Sequence, residues 1–202
     1  MMTKSEWLNW ADGRSIDLDG VPKDNPYQCA DAVKSYVKKC YGIDFTFTSP
    51  SNPHGYASGL YLYFDEHPEL KGSFIRLKNT PDFVPQKGDI VEWGYCEGVT
   101  GKAGHTAVSE GRNISTYRFY SLDQNWGKPY CRTVLHSFKG VLGVIRPLLW
   151  ITTTDLNVRA GAGTNYKKVG EKPKGTLVTV LHWQDGWARI GKDEWVAGNY
   201  LD

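Results

Sequence analysis

A cysteine with the setting of a nucleophile lies near the start of the chain. From Cys29 to Cys40 the apolar residues recur at helical spacing, without Pro or Gly, so the sequence predicts a helix with Cys29 in its first turn. There the free backbone N–H groups and the positive end of the helix dipole stabilise a thiolate. Taken alone, Cys29 has an alternative interpretation as a buried, unreactive thiol.

A histidine that could serve this nucleophile follows at the start of a predicted strand. His105 heads the run His-Thr-Ala-Val-Ser over residues 105–109, where period-two alternation places His105 and Ala107 on one face. An imidazole held there can accept the thiol proton and later protonate a departing amine.

A polar pair further along the chain could orient the imidazole. Residues 119–126 are predicted to form a strand with Asp123 and Asn125 on one face. If that strand pairs with the strand of His105, either side chain could accept the imidazole N–H and fix its tautomer. An ordinary turn is the alternative for this cluster. The order cysteine, histidine, polar group indicates amide hydrolysis through a thioester.

An acidic loop precedes the cysteine. Asp17 and Asp19 alternate before Gly20, as in the first part of a calcium loop, where oxygen ligands surround one cation. The closing Glu of an EF-hand is absent, and a solvated turn is the alternative.

Composition excludes several classes of protein. A net charge of +2 without a basic stripe argues against nucleic-acid binding, and no segment approaches the roughly 18 apolar residues of a membrane span. The four cysteines lack close C-x-x-C pairing, which favours free thiols in a reducing compartment. The N-terminus has no apolar core of a signal peptide, so we expect a soluble chain made in the cytoplasm.

Length and composition predict two domains. The chain of 202 residues contains 22 Gly, 8 Trp and 12 Tyr, which indicates strand-rich structure and a carbohydrate or cell-wall partner, although rings filling small cores are the alternative. Beyond residue 147, short alternating strands separated by Gly-containing turns predict a small β-barrel. Trp187 and Trp195 are expected to fill that barrel, and His54 and His67 in the first domain are expected to be exposed.

Several of these motifs together resemble known families. The CHAP family of cysteine peptidoglycan amidases and endopeptidases is similar at Gln28–Asp31, Lys87–Val91, Gly104–Val108 and Asp123–Gly127. The bacterial SH3 (SH3b) cell-wall-binding module is similar at Leu156–Gly161 and Gly186–Ile190. The two resemblances cover nearly the whole chain, and this order looks like a bacteriophage endolysin.

The resemblance implies an α+β fold. A papain-like CHAP domain over residues 1–147, with N-terminal helices packed on an antiparallel sheet, would precede an SH3-like barrel over residues 148–202. Cys29 matches the family nucleophile and His105 its general base, while Asp123 and Asn125 both match orienting positions. The implied calcium ligands are Asp17, Asp19 and Asp31.

The resemblance also implies a partner. The second domain would recognise peptidoglycan peptides, with Arg159, Tyr166, Trp183 and Tyr200 as candidate binding residues. The expected function is therefore that of a phage-type endolysin, stored in the host cytoplasm and acting on the wall after release. A bacterial autolysin or secreted effector with the same chemistry, and a non-catalytic wall-binding protein, are the alternatives.

Overall fold

The computed structural model describes residues 1–18, 28–115 and 117–202. The chain divides into two compact units, Met1–Arg146 and Pro147–Asp202. Within the described ranges, no helix is long and apolar enough to cross a membrane.

Three helices belong to the first unit. They are α1 (Lys4–Ala11), α2 (Cys29–Tyr41) and α3 (Ala57–Leu62), and a single 3-10 turn, Phe64–Glu66, follows α3. Sequence periodicity predicted α2, from Cys29 to Cys40. Helix α2 begins at Cys29, as predicted, and ends at Gly42, which adopts the left-handed conformation that closes many helices.

The apolar stripe of α2 packs this helix, which begins at Cys29, into the core. Val33, Tyr36, Val37 and Cys40 are all buried. The Tyr36 hydroxyl donates a hydrogen bond of 2.9 Å to the carbonyl of Gly88, in the turn that leads into the sheet. Gly88 has a φ of 83°, and a Cβ there would lie 2.5 Å from the Tyr36 hydroxyl oxygen. Only glycine therefore allows this turn to approach α2 so closely.

Six strands form the sheet of the first unit. They are β1 (Phe74–Lys78), β2 (Ile90–Trp93), β3 (His105–Ser115), β4 (Arg118–Asp123), β5 (Arg132–Ser137) and β6 (Val141–Pro147), in the order β1-β6-β2-β3-β4-β5. The pairs from β6 through β5 are antiparallel. Helices together with a mainly antiparallel sheet confirm the predicted α+β class.

The register of β3 brings distant polar residues to one face. His105 pairs with Trp93 on β2, and Val108 pairs with Leu122 on β4. When this register is followed one residue further along β4, from Leu122 to Asp123, Asp123 lies diagonal to His105 on the same face of the sheet, within reach of a long side chain.

Strand β4 is shorter than predicted. It ends at Asp123, whereas alternation predicted a strand through Trp126. Asn125 has a φ of 62°, and its N–H donates to the Lys128 carbonyl at 2.9 Å, so the chain turns there. Asp123 and Asn125 therefore do not alternate along one strand.

The second unit consists of short strands. They are β7 (Leu149–Ile151), β8 (Leu156–Arg159), β9 (Lys168–Lys172), β10 (Leu177–Thr179), β11 (His182–Gln184), β12 (Trp187–Gly191) and β13 (Glu194–Ala197), followed by the 3-10 turn Gly198–Tyr200. A five-stranded sheet has the order β11-β12-β13-β8-β9, and β7 pairs with β10.

The core of the second unit is aliphatic. Its buried members are Leu156, Val158, Val178, Val180, Ala188, Val196 and Leu201. The expectation that Trp187 and Trp195 fill this core is wrong, because both are only partly buried. Small side chains already fill the interior, which leaves the larger indoles partly at the surface.

A buried ion pair joins β6 to the start of β2. Arg146 contacts the fully buried carboxylate of Asp89 with Nε at 2.9 Å from Oδ1 and Nη2 at 2.7 Å from Oδ2. Burial raises the pKa of Asp89 even though Arg146 and the N–H of Gln86 favour its charge. Removing one partner of such a pair leaves the other buried without compensation.

We expect Asp89→Asn to lower the free energy of unfolding by about 3 kcal/mol, because the Arg146 charge loses its partner. Asp65→Asn is the matched control, since Asp65 pairs with Arg76 at the surface, 3.1 Å apart. That change should cost less than about 1 kcal/mol. Urea denaturation followed by tryptophan fluorescence measures both, and equal losses would contradict the assignment.

Candidate active site

Cys29 lies at the start of α2 with donors around its sulfur. The backbone N–H groups of Ala30 and Thr106 donate to the thiol. The N–H of Gln28, the N-cap residue, donates to the Asp31 carboxylate at 3.2 Å, which secures the first turn. The helix start therefore holds the cysteine in surroundings that favour negative charge.

The Cys29 thiol and the His105 imidazole form a coupled pair. Burial raises the pKa of the Cys29 thiol, but the charge and hydrogen bond of His105, together with the backbone donors, outweigh burial and hold the pKa below its usual value. Burial likewise opposes the charge of His105, yet the thiolate and Asp123 raise the pKa of the imidazole to about 10. Each charge stabilises the other, so the pair favours the thiolate and imidazolium forms over the neutral ones.

Asp123 orients the imidazole. This carboxylate is fully buried, and its Oδ2 lies 2.8 Å from His105 Nε2. Because Nε2 is engaged there, Nδ1 is the ring nitrogen that remains for Cys29. Burial raises the pKa of Asp123, but hydrogen bonds and charges from His105 and His136 lower it to about 2. Asp123 is therefore ionised throughout the physiological range.

The two polar residues predicted as alternatives lie in different settings. Asp123 makes the hydrogen bond to His105, whereas Asn125 is exposed in the turn after β4. The geometry thus favours Asp123 as the orienting group.

His136 is a functional candidate that sequence reasoning missed. Its Nε2 lies 3.0 Å from Asp123 Oδ2, the same oxygen that contacts His105. His136 lies on β5 opposite Phe119 of β4, in a register that is set by pairing between strands. Its position in the sequence by itself does not indicate this contact.

Two indoles surround the paired imidazoles. The ring of Trp126 lies 4.8 Å from that of His105 and 4.7 Å from that of His136, between centroids. Trp93 lies 5.4 Å from His105 and 4.9 Å from His136. These rings displace water from the imidazoles and strengthen the electrostatic interactions between the buried groups.

Gln124 connects the start of α2 to the end of β4 through hydrogen bonds. Its buried side chain accepts the N–H of Ile16 at 2.7 Å and donates to the carbonyls of Ile16, at 2.7 Å, and Gln28, at 2.8 Å. Gln28 directly precedes Cys29, and Gln124 directly follows Asp123. One side chain therefore fixes the residues beside both groups.

A second buried carboxyl, that of Glu92, lies near Cys29 and His105, and its pKa shifts in the opposite direction to that of Asp123. Glu92 Oε1 accepts a 2.7 Å hydrogen bond from the Thr106 hydroxyl, and Oε2 has no hydrogen-bond partner within the described part of the chain. Burial raises the pKa of Glu92 well above its usual value, and the nearby Cys29 thiolate raises it further, while Thr106 and His105 oppose the rise. Burial therefore favours the neutral form of Glu92, whereas the hydrogen bonds and charges around Asp123 favour its charged form.

The predicted calcium ligands are only partly described. Asp17 is exposed, and Asp19 lies outside the described residues. Asp31 is buried, and Lys34 Nζ lies 2.9 Å from its Oδ1. Among residues 1–18, 28–115 and 117–202, no three His, Cys, Asp or Glu side chains form a group that could hold a metal. Because Asp19 lies outside these residues, calcium binding stays a prediction.

Other candidate residues have structural settings. His54 is exposed, as expected, but the same expectation for His67 is wrong, because that side chain is 1% exposed and packs against Phe45 with ring centroids 6.5 Å apart. Burial raises the pKa of Cys131 to about 12, which distinguishes this thiol from Cys29.

The residues predicted to bind the wall are largely at the surface of the second unit. Tyr166, Tyr200 and Trp183 are 47%, 45% and 37% exposed. Arg159 Nη1 donates to the Tyr166 carbonyl at 2.9 Å, so Arg159 also stabilises the loop between β8 and β9.

Comparison with known proteins gives one family match and several structural ones. Residues 154–202 match the family model of the bacterial SH3 domain, and no curated protein matches the chain. The crystal structure of the wild-type endolysin LysIME-EF1 is 28% identical with a TM-score of 0.54, and the match covers 73% of this chain and 65% of that one. This chain thus spans slightly less than two thirds of that endolysin.

Two further structures share the fold. The crystal structure of Ly7917 is 17% identical with a TM-score of 0.50, covering 97% of this chain and 92% of that one. Ly7917 with the hydrolysing product of MDP is 16% identical with a TM-score of 0.50, covering 96% and 92%. Residues 154–202 therefore form a bacterial SH3 domain, as predicted, and the fold of the chain is similar to that of the solved endolysin LysIME-EF1.

Proposed function

We propose that the first unit hydrolyses an amide bond of bacterial peptidoglycan with Cys29 as the nucleophile, and that the SH3 domain holds the enzyme on the wall. The observation that carries this proposal is the set of Cys29, His105 and Asp123, in which a helix-start thiol and an oriented imidazole stabilise each other's charge. The likeness to LysIME-EF1 supports an endolysin, and the SH3 match supports wall binding.

The first chemical step forms a thioester. The Cys29 thiolate attacks the carbonyl carbon of the amide, and backbone N–H groups at the start of α2 are placed to stabilise the oxyanion. As the tetrahedral intermediate collapses, the carbon–nitrogen bond breaks and His105 gives its Nδ1 proton to the departing amine. His105 is then neutral, with its Nε2 proton still directed at Asp123.

The second step restores the enzyme. A water molecule attacks the thioester carbonyl while Nδ1 of His105 takes one of its protons. The carbon–sulfur bond breaks, the carboxylic acid leaves, and the thiolate and imidazolium are regenerated. Asp123 stays ionised throughout and keeps Nδ1 of His105 directed at the reacting atoms.

Cleavage of purified Gram-positive cell walls tests the proposal. We expect the wild type to release fragments with new termini and Cys29→Ala to release none, because the thioester requires the sulfur. Cys96→Ala is the matched control, since Cys96 is also partly exposed but lies outside the site. Fragment masses from mass spectrometry distinguish a muramoyl-alanine amidase from an endopeptidase.

Binding measured in the same samples separates the alternatives. Sedimentation of the chain with the walls reports on the SH3 domain independently of cleavage. If wild type and Cys29→Ala both sediment with walls of several species and neither releases fragments, the protein is a non-catalytic wall-binding protein. If Cys29→Ala releases the same fragments as the wild type, Cys29 is not the nucleophile.

The charge pair predicts a bell-shaped pH dependence of kcat/KM. The acid limb should lie below the usual pKa of a cysteine, because protonating the thiolate removes the nucleophile. The alkaline limb should lie near pH 10, where His105 loses the proton that it donates to the leaving amine.

Iodoacetamide should also alkylate Cys29 faster than free cysteine at pH 7. A Cys29 rate no higher than that of free cysteine would contradict the activated thiol.

Chelation tests the calcium hypothesis. If Asp17, Asp19 and Asp31 bind calcium, excess EDTA should lower wall cleavage and raise the unfolding rate of the first unit, and added Ca²⁺ should restore both. Mg²⁺ at the same concentration is the control. Full activity and unchanged stability in EDTA would remove calcium from the proposal.

A further inference from the structure

Asp123 is a carboxylate shared by two imidazoles. His105 Nε2 and His136 Nε2 lie 2.8 Å and 3.0 Å from the same oxygen, Oδ2, and the Ser121 hydroxyl donates to Oδ1 at 2.6 Å. A fully buried carboxylate loses its hydration and depends on such donors for its charge. His136 supplies one of these three donors.

We propose that His136 is a positioning residue, an inference that rests on the proposed function. It fixes the plane of the Asp123 carboxylate and thereby the orientation of His105. The chemistry proceeds at Cys29 and His105. His136 acts on it only through Asp123.

The shared oxygen determines where the ring protons lie. A carboxylate oxygen only accepts, so each imidazole contacting Oδ2 must carry its proton on Nε2. A neutral His136 can do this, and the contact requires no second positive charge. For His105 the same rule leaves Nδ1 directed at Cys29, which is the arrangement that proton transfer requires.

Aromatic packing keeps His136 in place. Its ring lies 4.9 Å from Trp93, 4.7 Å from Trp126 and 5.7 Å from Phe119, between centroids. The side chain is 5% exposed. A ring held on three sides has little freedom to rotate, so its N–H points steadily at Asp123.

Loss of the His136 donor should weaken the charge pair. With one donor fewer, Asp123 holds its charge less well and stabilises the His105 imidazolium less. A less stable imidazolium stabilises the Cys29 thiolate less, so the thiol should ionise at higher pH. The titratable groups around this cluster are Cys29 on α2, Glu92 on β2, His105 on β3, Cys131 before β5 and His136 on β5.

Two substitutions of His136 distinguish the effect of its N–H donor from the effect of its aromatic ring. His136→Phe keeps an aromatic ring and removes the N–H, whereas His136→Gln keeps an N–H donor at a similar reach and removes the ring. We expect His136→Phe to lower kcat about tenfold with KM unchanged, and to raise the midpoint pH of Cys29 alkylation by about one unit. His136→Gln should recover most of both. His54→Phe, the same change at an exposed site, should alter neither.

The outcomes decide between positioning and packing. An unchanged alkylation midpoint in a folded His136→Phe variant would overturn the proposal, and so would equal losses in the Phe and Gln variants. The tautomer gives a test without substitution: ¹⁵N-resolved spectra of the wild type should show the His136 proton on Nε2, and a proton on Nδ1 alone would overturn the proposal. Alkylation and spectra need no substrate, so they remain decisive even if the walls are not cleaved.

Discussion

The site depends on keeping a full negative charge on a carboxylate that water does not reach. Asp123 is 0% exposed, and its charge is maintained by donors from His105, His136 and Ser121. That charge raises the pKa of His105, and the imidazolium in turn lowers the pKa of the Cys29 thiol. The ionisation of the Cys29 thiol therefore depends on the Asp123 carboxylate, which acts through His105.

Two buried carboxyls near Cys29 and His105 differ in the number of hydrogen-bond donors that surround them. Asp123 has three donors and a pKa of about 2, whereas Glu92 accepts a hydrogen bond from Thr106 and its pKa lies well above the usual value. If both were charged, their repulsion of the thiolate would oppose its formation. Different hydrogen bonding thus shifts the pKa values of two carboxyl groups in opposite directions within one site.

The fold contributes rigidity where the chemistry requires it. Register between β2, β3 and β4 determines which side chains share a face with His105. Gln124 links the chain before Cys29 to the chain after Asp123, and Tyr36 joins α2 to the turn before β2. Because separate elements carry Cys29, His105 and Asp123, these cross-links decide whether the three groups meet. The second unit has its own aliphatic core and needs none of these contacts.

Sequence alone predicted several local elements: the 3.6-residue stripe of α2, the strand start at His105 and the short strands of the SH3 domain are all local patterns. Alternation failed at Asn125, because a left-handed turn ended β4 after Asp123. Only the tertiary structure decided that Asp123 contacts His105, that His136 joins it, and that Glu92 and His67 are buried. These properties depend on strand register and packing between residues far apart in the chain, whereas periodicity reports only on neighbours.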